Sequence, residues 1–118
     1  AFDRWNAWDL VNRLTEAGAP MIEFRQGPIS FNAPMKELER CVKSGLMDHG
    51  GDPVLTWMAS NIVAREDVNR NMAPDRKNSQ EKIDGVVAML MGLGLLMRDE
   101  NVAGTDLNKL ILERGGFA

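Results

Sequence analysis

The sequence predicts an α/β fold that is rich in helix and short of sheet. Several segments carry apolar residues at helical spacing, and Gly, Pro and capping residues separate them. Only a few short stretches have the character of strands. Residues 86–97 contain no charged or hydrogen-bonding side chain, so a helix there needs cover on every side. The few short strands cannot supply that cover, and the predicted sheet is therefore incomplete.

Length and composition predict one soluble globular domain. The chain has 118 residues, of which 44% are hydrophobic and 26% are charged, a balance typical of domains that bury a core. The formal net charge of -3 argues against a strongly basic nucleic-acid-binding protein, although it allows a local basic patch. Cys41 and His49 are the only residues of their types, which argues against an internal disulfide and against zinc sites built on cysteines or several histidines.

The first third of the chain predicts a helix followed by a short strand. Apolar residues recur at helical spacing over residues 6–17, and Gly18 with Pro20 ends that pattern. Residues 21–24 form a strand candidate that leads into a turn at residues 26–28.

A second helix is predicted to begin at Asn32, which is a good N-cap, with Pro34 in the first turn. Gly45 supplies the stop at its carboxyl end. The apolar stripe of this helix consists of Met35, Leu38 and Val42.

Residues 48–52 predict a loop, and Asp52 followed by Pro53 repeats the start signal of a helix. The buried side of this third helix is predicted to be Leu55, Met58 and Ile62. Residues 62–64 could pass into a short strand. The polar stretch over residues 66–79 suits a hairpin or a mobile loop.

The apolar segment predicts a core helix. Asn78 and Glu81 have the spacing of a capping box, and residues 86–97 are too few to span a bilayer, which takes about 20. Residues 98–100 are predicted to end this helix, and residues 105–114 to form a last one. Each glycine in a helix costs about 1 kcal/mol relative to Ala. Because a packing contact can offset that cost, a neighbouring backbone is predicted to approach closely at Gly85, Gly92 and Gly94.

Asp84 is the main candidate for a functional side chain. Acidic residues in the first turn of a helix commonly complement the helix dipole, and on spacing alone this structural role is the commoner one. A carboxylate where a core meets the surface also suits a divalent cation, and Glu81 would lie on nearly the same helix face. Asp3 is either an ordinary amino-terminal acid or cap, or a ligand at the end of a strand that finishes at Phe2.

A loosely basic stretch is the natural place for contacts with DNA phosphates. Neighbouring acids nearly cancel its charge, so a solvated loop of mixed charge is the commoner interpretation. The basic residues are Arg65, Arg70, Arg76, Lys77 and Lys82.

Five segments, taken in order, resemble a known family. They are FDRWNA at residues 2–7, FRQG at 24–27, APMKELER at 33–40, HGGDPVLTWMASN at 49–61 and EKIDGVVA at 81–88. Together they resemble the C-terminal nuclease part of the large terminase subunit of tailed bacteriophages, of the HK97-like kind. Each segment alone is a weak signal, whereas five in register are a strong one.

The resemblance implies a ribonuclease-H-like nuclease fold in which residues 1–118 are the C-terminal portion and the first strands are missing. Such domains cut concatemeric phage DNA, and their acidic residues bind two Mg²⁺ or Mn²⁺ ions. By position, Asp84 corresponds to the acid of the final core helix, Asp3 to the middle acid and Glu81 to a weaker further ligand. The acid of the first strand has no counterpart in this sequence, so we expect the chain alone to be a weak or inactive nuclease.

The same resemblance implies the partners and the place of action. The partners are double-stranded phage DNA and, through the full-length subunit, the terminase small subunit and the portal protein, in the cytoplasm of the bacterial host. No G-x-x-x-x-G-K-[ST] loop occurs in the sequence, so we expect neither the ATPase domain nor ATP binding in this part. The alternative is a non-catalytic assembly module, such as a truncated prophage product that dimerises to cover its missing sheet.

Overall fold

A computed structural model describes the backbone of residues 1–103 and the side chains of residues 1–98. Helices dominate this part of the chain, and its one sheet has two strands. The elements are α1 (Trp8–Glu16), α2 (Pro28–Lys43), α3 (Pro53–Asn61), β1 (Ala64–Glu66), β2 (Met72–Pro74) and α4 (Asp84–Ala103). The prediction of a helix-rich mixed fold is confirmed for these residues, whereas the helix predicted over residues 105–114 lies outside them. No described helix is long and apolar enough to cross a membrane.

The hydrophobic core lies between α4, α2, the segment before α2 and strand β2. Its buried residues are Phe24, Phe31, Ala73, Ile83, Val86, Val87, Leu90 and Met91. Helix α4 buries one face in this core, but Ala88 and Gly92 on its other side are exposed. The prediction that this helix is buried all round is therefore wrong. Helices α2 and α3 cover it, and no other element of residues 1–103 packs against it as extensively.

Local signals fix the starts and ends of some helices. Helix α1 lies within its predicted range and is followed by Gly18, whose φ of 90° favours glycine. Helix α3 begins as predicted, because the Asp52 carboxylate accepts a hydrogen bond of 2.8 Å from the Leu55 amide and Pro53 takes the first helical position.

The predicted start of α2 at Asn32 is wrong, since the helix begins four residues earlier at Pro28. Proline is well placed at a first helical position because its ring fixes φ, and because the N–H group that it lacks would have no hydrogen-bond partner within the helix. The Asn32 side chain is used elsewhere: its carbonyl oxygen accepts a hydrogen bond of 3.0 Å from the amide of Met72 in β2. Pro34 consequently lies inside the helix, where it is buried. Of the predicted apolar stripe, only Val42 is exposed.

The predicted strand at residues 21–24 is reduced to a single parallel bridge between Phe2 and Glu23. The Phe2 amide donates to the Ile22 carbonyl at 3.0 Å, and the Phe24 amide donates to the Phe2 carbonyl at 2.8 Å. The polar stretch after α3 forms a hairpin, in which β1 and β2 pair antiparallel with Arg65 opposite Ala73.

Helix α4 begins at Asp84, later than the predicted capping box. The Asn78 side chain donates to the Asp75 carboxylate at 2.7 Å, so it stabilises the turn after β2 instead of the helix. Asp84 is therefore the first residue of α4. The helix also continues to Ala103, past the predicted stop at residues 98–100.

Side chains, and not the predicted backbone, approach the glycines of α4. They do so at only two of the three predicted positions. A Cβ atom at Gly94 would lie 2.7 Å from Cε2 of Phe24, and one at Gly85 would lie 2.7 Å from the sulfur of Met58. A Cβ atom at Gly92 would meet nothing within 4 Å. Gly94 is thus required by packing, whereas Gly92 is not.

These two glycines form a matched pair for measuring the packing of α4. The Gly94→Ala variant should lower the free energy of unfolding by about 1–2 kcal/mol, because the buried Phe24 ring must move. The Gly92→Ala variant should raise it by about 0.5–1 kcal/mol, since alanine favours a helix and the site is open. Urea unfolding measures both values. Equal changes in the free energy of unfolding for the two substitutions would contradict the close contact between Phe24 and Gly94.

Candidate functional site

Asp84 is presented at the exposed start of α4. Its side chain is 66% exposed, and its Oδ1 atom lies 2.6 Å from Nη1 of Arg76, which comes from the turn after β2. The amino terminus of a long helix favours negative charge, because its first amide groups point toward it. An exposed ion pair contributes about 1 kcal/mol or less to stability. The carboxylate is therefore accessible, and Arg76 is its charged partner.

Glu81 and Asp84 line the same open hollow, of about 260 Å³. Arg76 and Lys82 line it as well. The sequence predicts that Glu81 and Asp84 lie close together because they share one helix face. That reason is wrong, because Glu81 precedes α4. The turn between β2 and α4 brings the two acids to one hollow instead.

Asp3 lies in a different hollow, of about 390 Å³, at the parallel bridge. Its Oδ1 atom accepts a hydrogen bond of 3.3 Å from the amide of Trp5, which is the local capping role that the sequence allows. Glu23 lines the same hollow and was not among the sequence candidates. The strand candidate over residues 21–24 gives no signal for it by itself, because the place of Glu23 near Asp3 depends on the pairing of that segment with Phe2.

The donor atoms of Asp84 and Glu81 fit a hard divalent cation. Mg²⁺ prefers oxygen ligands, keeps several of its waters and is often held by only one or two carboxylates. Across the described side chains, no group of three or more His, Cys, Asp or Glu residues is arranged to hold a metal ion. Asp84 and Glu81 therefore offer two carboxylates to a hydrated cation, and the structure does not bring Asp3 into their hollow.

A cavity of about 470 Å³ lies next to the Asp84 hollow and shares Arg76 with it. Three of the predicted basic residues line this cavity, namely Arg65, Arg76 and Lys77. Lys82 lines the smaller hollow, and Arg70 lines neither. The buried side chains of Phe31, Ala73 and Val87 form the apolar part of the cavity. A basic rim over an apolar floor is suited to an anionic ligand.

Asp75 also lines this cavity, but its carboxylate is engaged in the turn. It accepts hydrogen bonds from the Asn78 side chain at 2.7 Å and from the amides of Asn78 and Lys77 at 3.1 Å. These bonds, led by that of the Asn78 side chain, hold the pKa of Asp75 below its ordinary value of 3.8. The turn that carries Arg76 is therefore built on an ionised Asp75.

The accessible acid at the start of α4 adjoins a cavity with basic residues, and comparison with known proteins identifies the family. A family model described as the terminase large subunit, endonuclease domain, matches residues 1–100. The terminase large subunit of Enterobacteria phage HK97 is 33% identical over 114 residues, which cover 94% of this chain and 22% of that protein. Protein YmfN of Escherichia coli K12 is 32% identical over 100 residues, which cover 80% of this chain and 21% of that protein.

The crystal structure of the HK97 bacteriophage large terminase matches with a TM-score of 0.72 and 34% identity, over 80% of this chain and 20% of that one. The chain belongs to the endonuclease-domain family of terminase large subunits. The family predicted from the five sequence segments is confirmed. The chain spans about a fifth of the length of the relatives it matches.

The lowered pKa of Asp75 predicts how the turn responds to acid. Hydrogen bonding favours the ionised form in the folded state, so the stability that Asp75 contributes is present above its ordinary pKa of 3.8 and is lost as the pH falls through the lowered value. Nuclear magnetic resonance should show the Lys77 and Asn78 amides changing environment only below about pH 4. In the Asp75→Asn variant these amides should already be perturbed at neutral pH and show no such acid transition. A transition that persists in this variant would assign it to another group.

Proposed function

We propose that residues 1–118 are the C-terminal portion of a ribonuclease-H-like nuclease domain. With the rest of a terminase large subunit, this portion cleaves concatemeric double-stranded DNA during packaging of a phage genome. The observation that carries the proposal is the family match over residues 1–100, within which an accessible Asp84 begins the central helix. The adjoining basic cavity supports DNA as the ligand, because phosphate contacts dominate the affinity of proteins for DNA.

The acids of the chain would hold the divalent cations. Asp84 and Glu81 fit one Mg²⁺ or Mn²⁺ ion from a shared hollow, and Asp3, from its separate hollow, is the proposed further ligand. When bound, such ions activate a water and stabilise the leaving oxygen of a phosphodiester. Two-metal sites hold their ions about 4 Å apart, whereas the candidate acids of this chain line two separate hollows. We therefore expect the isolated chain to be a weak or inactive nuclease.

The basic residues of the cavity would bind the DNA backbone. Arg65 on β1 lines it together with Arg76 and Lys77 of the turn after β2, so the hairpin and the turn that follows it place three positive charges around one space. The proposal also includes Lys82, which would act beside Asp84, and gives Arg70 a lesser part because it lines neither space. The small subunit and the portal protein would be partners through the full-length subunit, in the cytoplasm of the bacterial host.

Metal binding tests the role of Asp84. Calorimetric titration with Mn²⁺ should show millimolar binding that the Asp84→Asn variant loses, because the exposed carboxylate is the main ligand of the hollow. The Asp9→Asn variant is the matched control. Asp9 is also exposed, lies in the first turn of a helix and is paired with an arginine, Arg13. Equal Mn²⁺ binding by the wild-type chain and the Asp84→Asn variant would overturn the assignment.

Nicking of a supercoiled plasmid tests the activity of the chain. With Mn²⁺ we expect weak nicking at most, since the acid of the first strand is missing from residues 1–118. Robust nicking that the Asp84→Ala variant abolishes would show that the carboxylates of this chain suffice, and would contradict the expected weakness while supporting the nuclease role.

DNA binding tests the basic cavity. A protein loses affinity for DNA with increasing salt, with a logarithmic slope of about 0.9 for each phosphate contact. The Lys77→Gln variant should therefore bind a short duplex more weakly and with a salt slope reduced by about 0.9. The Arg13→Gln variant, which removes a positive charge from α1 that lines neither the cavity nor the Asp84 hollow, should leave the slope unchanged. Fluorescence anisotropy at several salt concentrations measures the slope. Equal slopes for the wild-type chain and both variants would contradict this prediction.

A second candidate function is a non-catalytic assembly module. It is favoured by exposed apolar side chains that adjoin one another, such as Leu10 and Leu14, which lie four residues apart on α1 and are 60% and 36% exposed. Such side chains mark interaction surfaces when they are contiguous. A stable dimer in sedimentation equilibrium, together with no Mn²⁺ binding at millimolar concentration, would favour this function over the nuclease.

A further inference from the structure

Arg76 belongs to two sites. Its guanidinium pairs with the Asp84 carboxylate in the smaller hollow, and the same residue lines the basic cavity beside Arg65 and Lys77. The side chain is 56% exposed, so it is not fixed by burial. Its position between the two spaces gives it a choice of partner.

We propose that Arg76 is the resident counter-ion of Asp84, that a divalent cation displaces it, and that the released guanidinium then binds a DNA phosphate in the basic cavity. This inference rests on the proposed function, because it takes Asp84 as a cation ligand and DNA as the substrate. It adds a role that the acids alone do not have: cation binding and phosphate binding become coupled through one side chain.

The first step follows from competition for the same oxygen. Arg76 Nη1 lies 2.6 Å from Asp84 Oδ1 and donates a hydrogen bond to it. A cation that uses this oxygen would also be repelled by the guanidinium at such short range. Both side chains are more than half exposed, so the pair is weak enough for a cation to break.

The second step follows from the surroundings of the cavity. Once Arg76 leaves Asp84, the other acids that line its two spaces are Glu81, which would share the cation, and Asp75, whose oxygens already accept hydrogen bonds from Asn78 and the Lys77 amide. A phosphate held by Arg65 and Lys77 is the partner that remains for the guanidinium. The planar guanidinium offers two parallel hydrogen bonds to a phosphate, which makes it a strong partner for this group.

Metal titration tests the displacement. By calorimetry, the Arg76→Gln variant should bind Mn²⁺ about two- to fivefold more tightly than the wild-type chain, because no guanidinium competes for Asp84. The Arg76→Lys variant, which keeps the charge, should return toward wild-type affinity. The Arg13→Gln variant, which breaks the more exposed ion pair with Asp9 on α1, should not differ from wild type. Equal or weaker Mn²⁺ binding by the Arg76→Gln variant would overturn the inference.

The Asp84→Asn variant separates this inference from the proposed function. If it loses Mn²⁺ binding while the Arg76→Gln variant matches wild type, Asp84 is a cation ligand and the displacement is wrong. If none of the proteins binds Mn²⁺, both the cation site and the displacement are wrong. If only the Arg76→Gln variant binds, the competition by Arg76 is supported directly.

DNA binding tests the release. Coupling between two ligands is reciprocal, so a cation should raise the affinity of the wild-type chain for DNA. With Ca²⁺, a hard cation that takes the same oxygen ligands, anisotropy should show a larger gain in affinity for the wild-type chain than for the Arg76→Gln variant. The same gain in both proteins would overturn the transfer of Arg76 to phosphate.

Discussion

The ring of Phe24 lies against α4 at Gly94, where a Cβ atom would come within 2.7 Å of it. The same ring packs on Phe31 of α2, with centroids 5.1 Å apart, and the Arg98 guanidinium lies 5.2 Å from its centroid. Its backbone amide is bonded to the Phe2 carbonyl. One residue therefore holds the amino-terminal segment, α2 and α4 together, and the positions of the acids at both hollows depend on this packing.

The sequence predicts features that are decided locally and misses those decided by distant contacts. The start of α3 is predicted because Asp52 caps it from within three residues. The start of α2 is missed because the Asn32 side chain bonds to Met72, forty residues away. Hydrophobicity shows that α4 is apolar but not how many neighbours it has, which is why its burial is overestimated.

The candidate site likewise has features that the sequence predicts locally and features that depend on the rest of the fold. That Glu81 and Asp84 are close follows from their separation in the chain, whereas the Arg76–Asp84 ion pair depends on the turn built on Asp75. Asp3 owes its proposed role to resemblance alone, and the structure gives it a local hydrogen bond with Trp5 in a separate hollow. Glu23 becomes visible only when the segment around it pairs with Phe2. Family membership was the most predictable property, because it rests on five segments in order.

The two strands of the hairpin differ in how firmly they are held. All of β1 is exposed, whereas Ala73 and Pro74 of β2 are buried in the core. Segments with few buried contacts open at lower free energy than segments fixed in a core. Arg65 therefore lies on the strand that opens at lower free energy, and Arg76 lies two residues after the strand that is buried. Movement of β1 would carry Arg65 with it, whereas the backbone that leads to Arg76 is anchored by the buried Ala73 and Pro74, so that a change of partner by Arg76 involves its side chain alone.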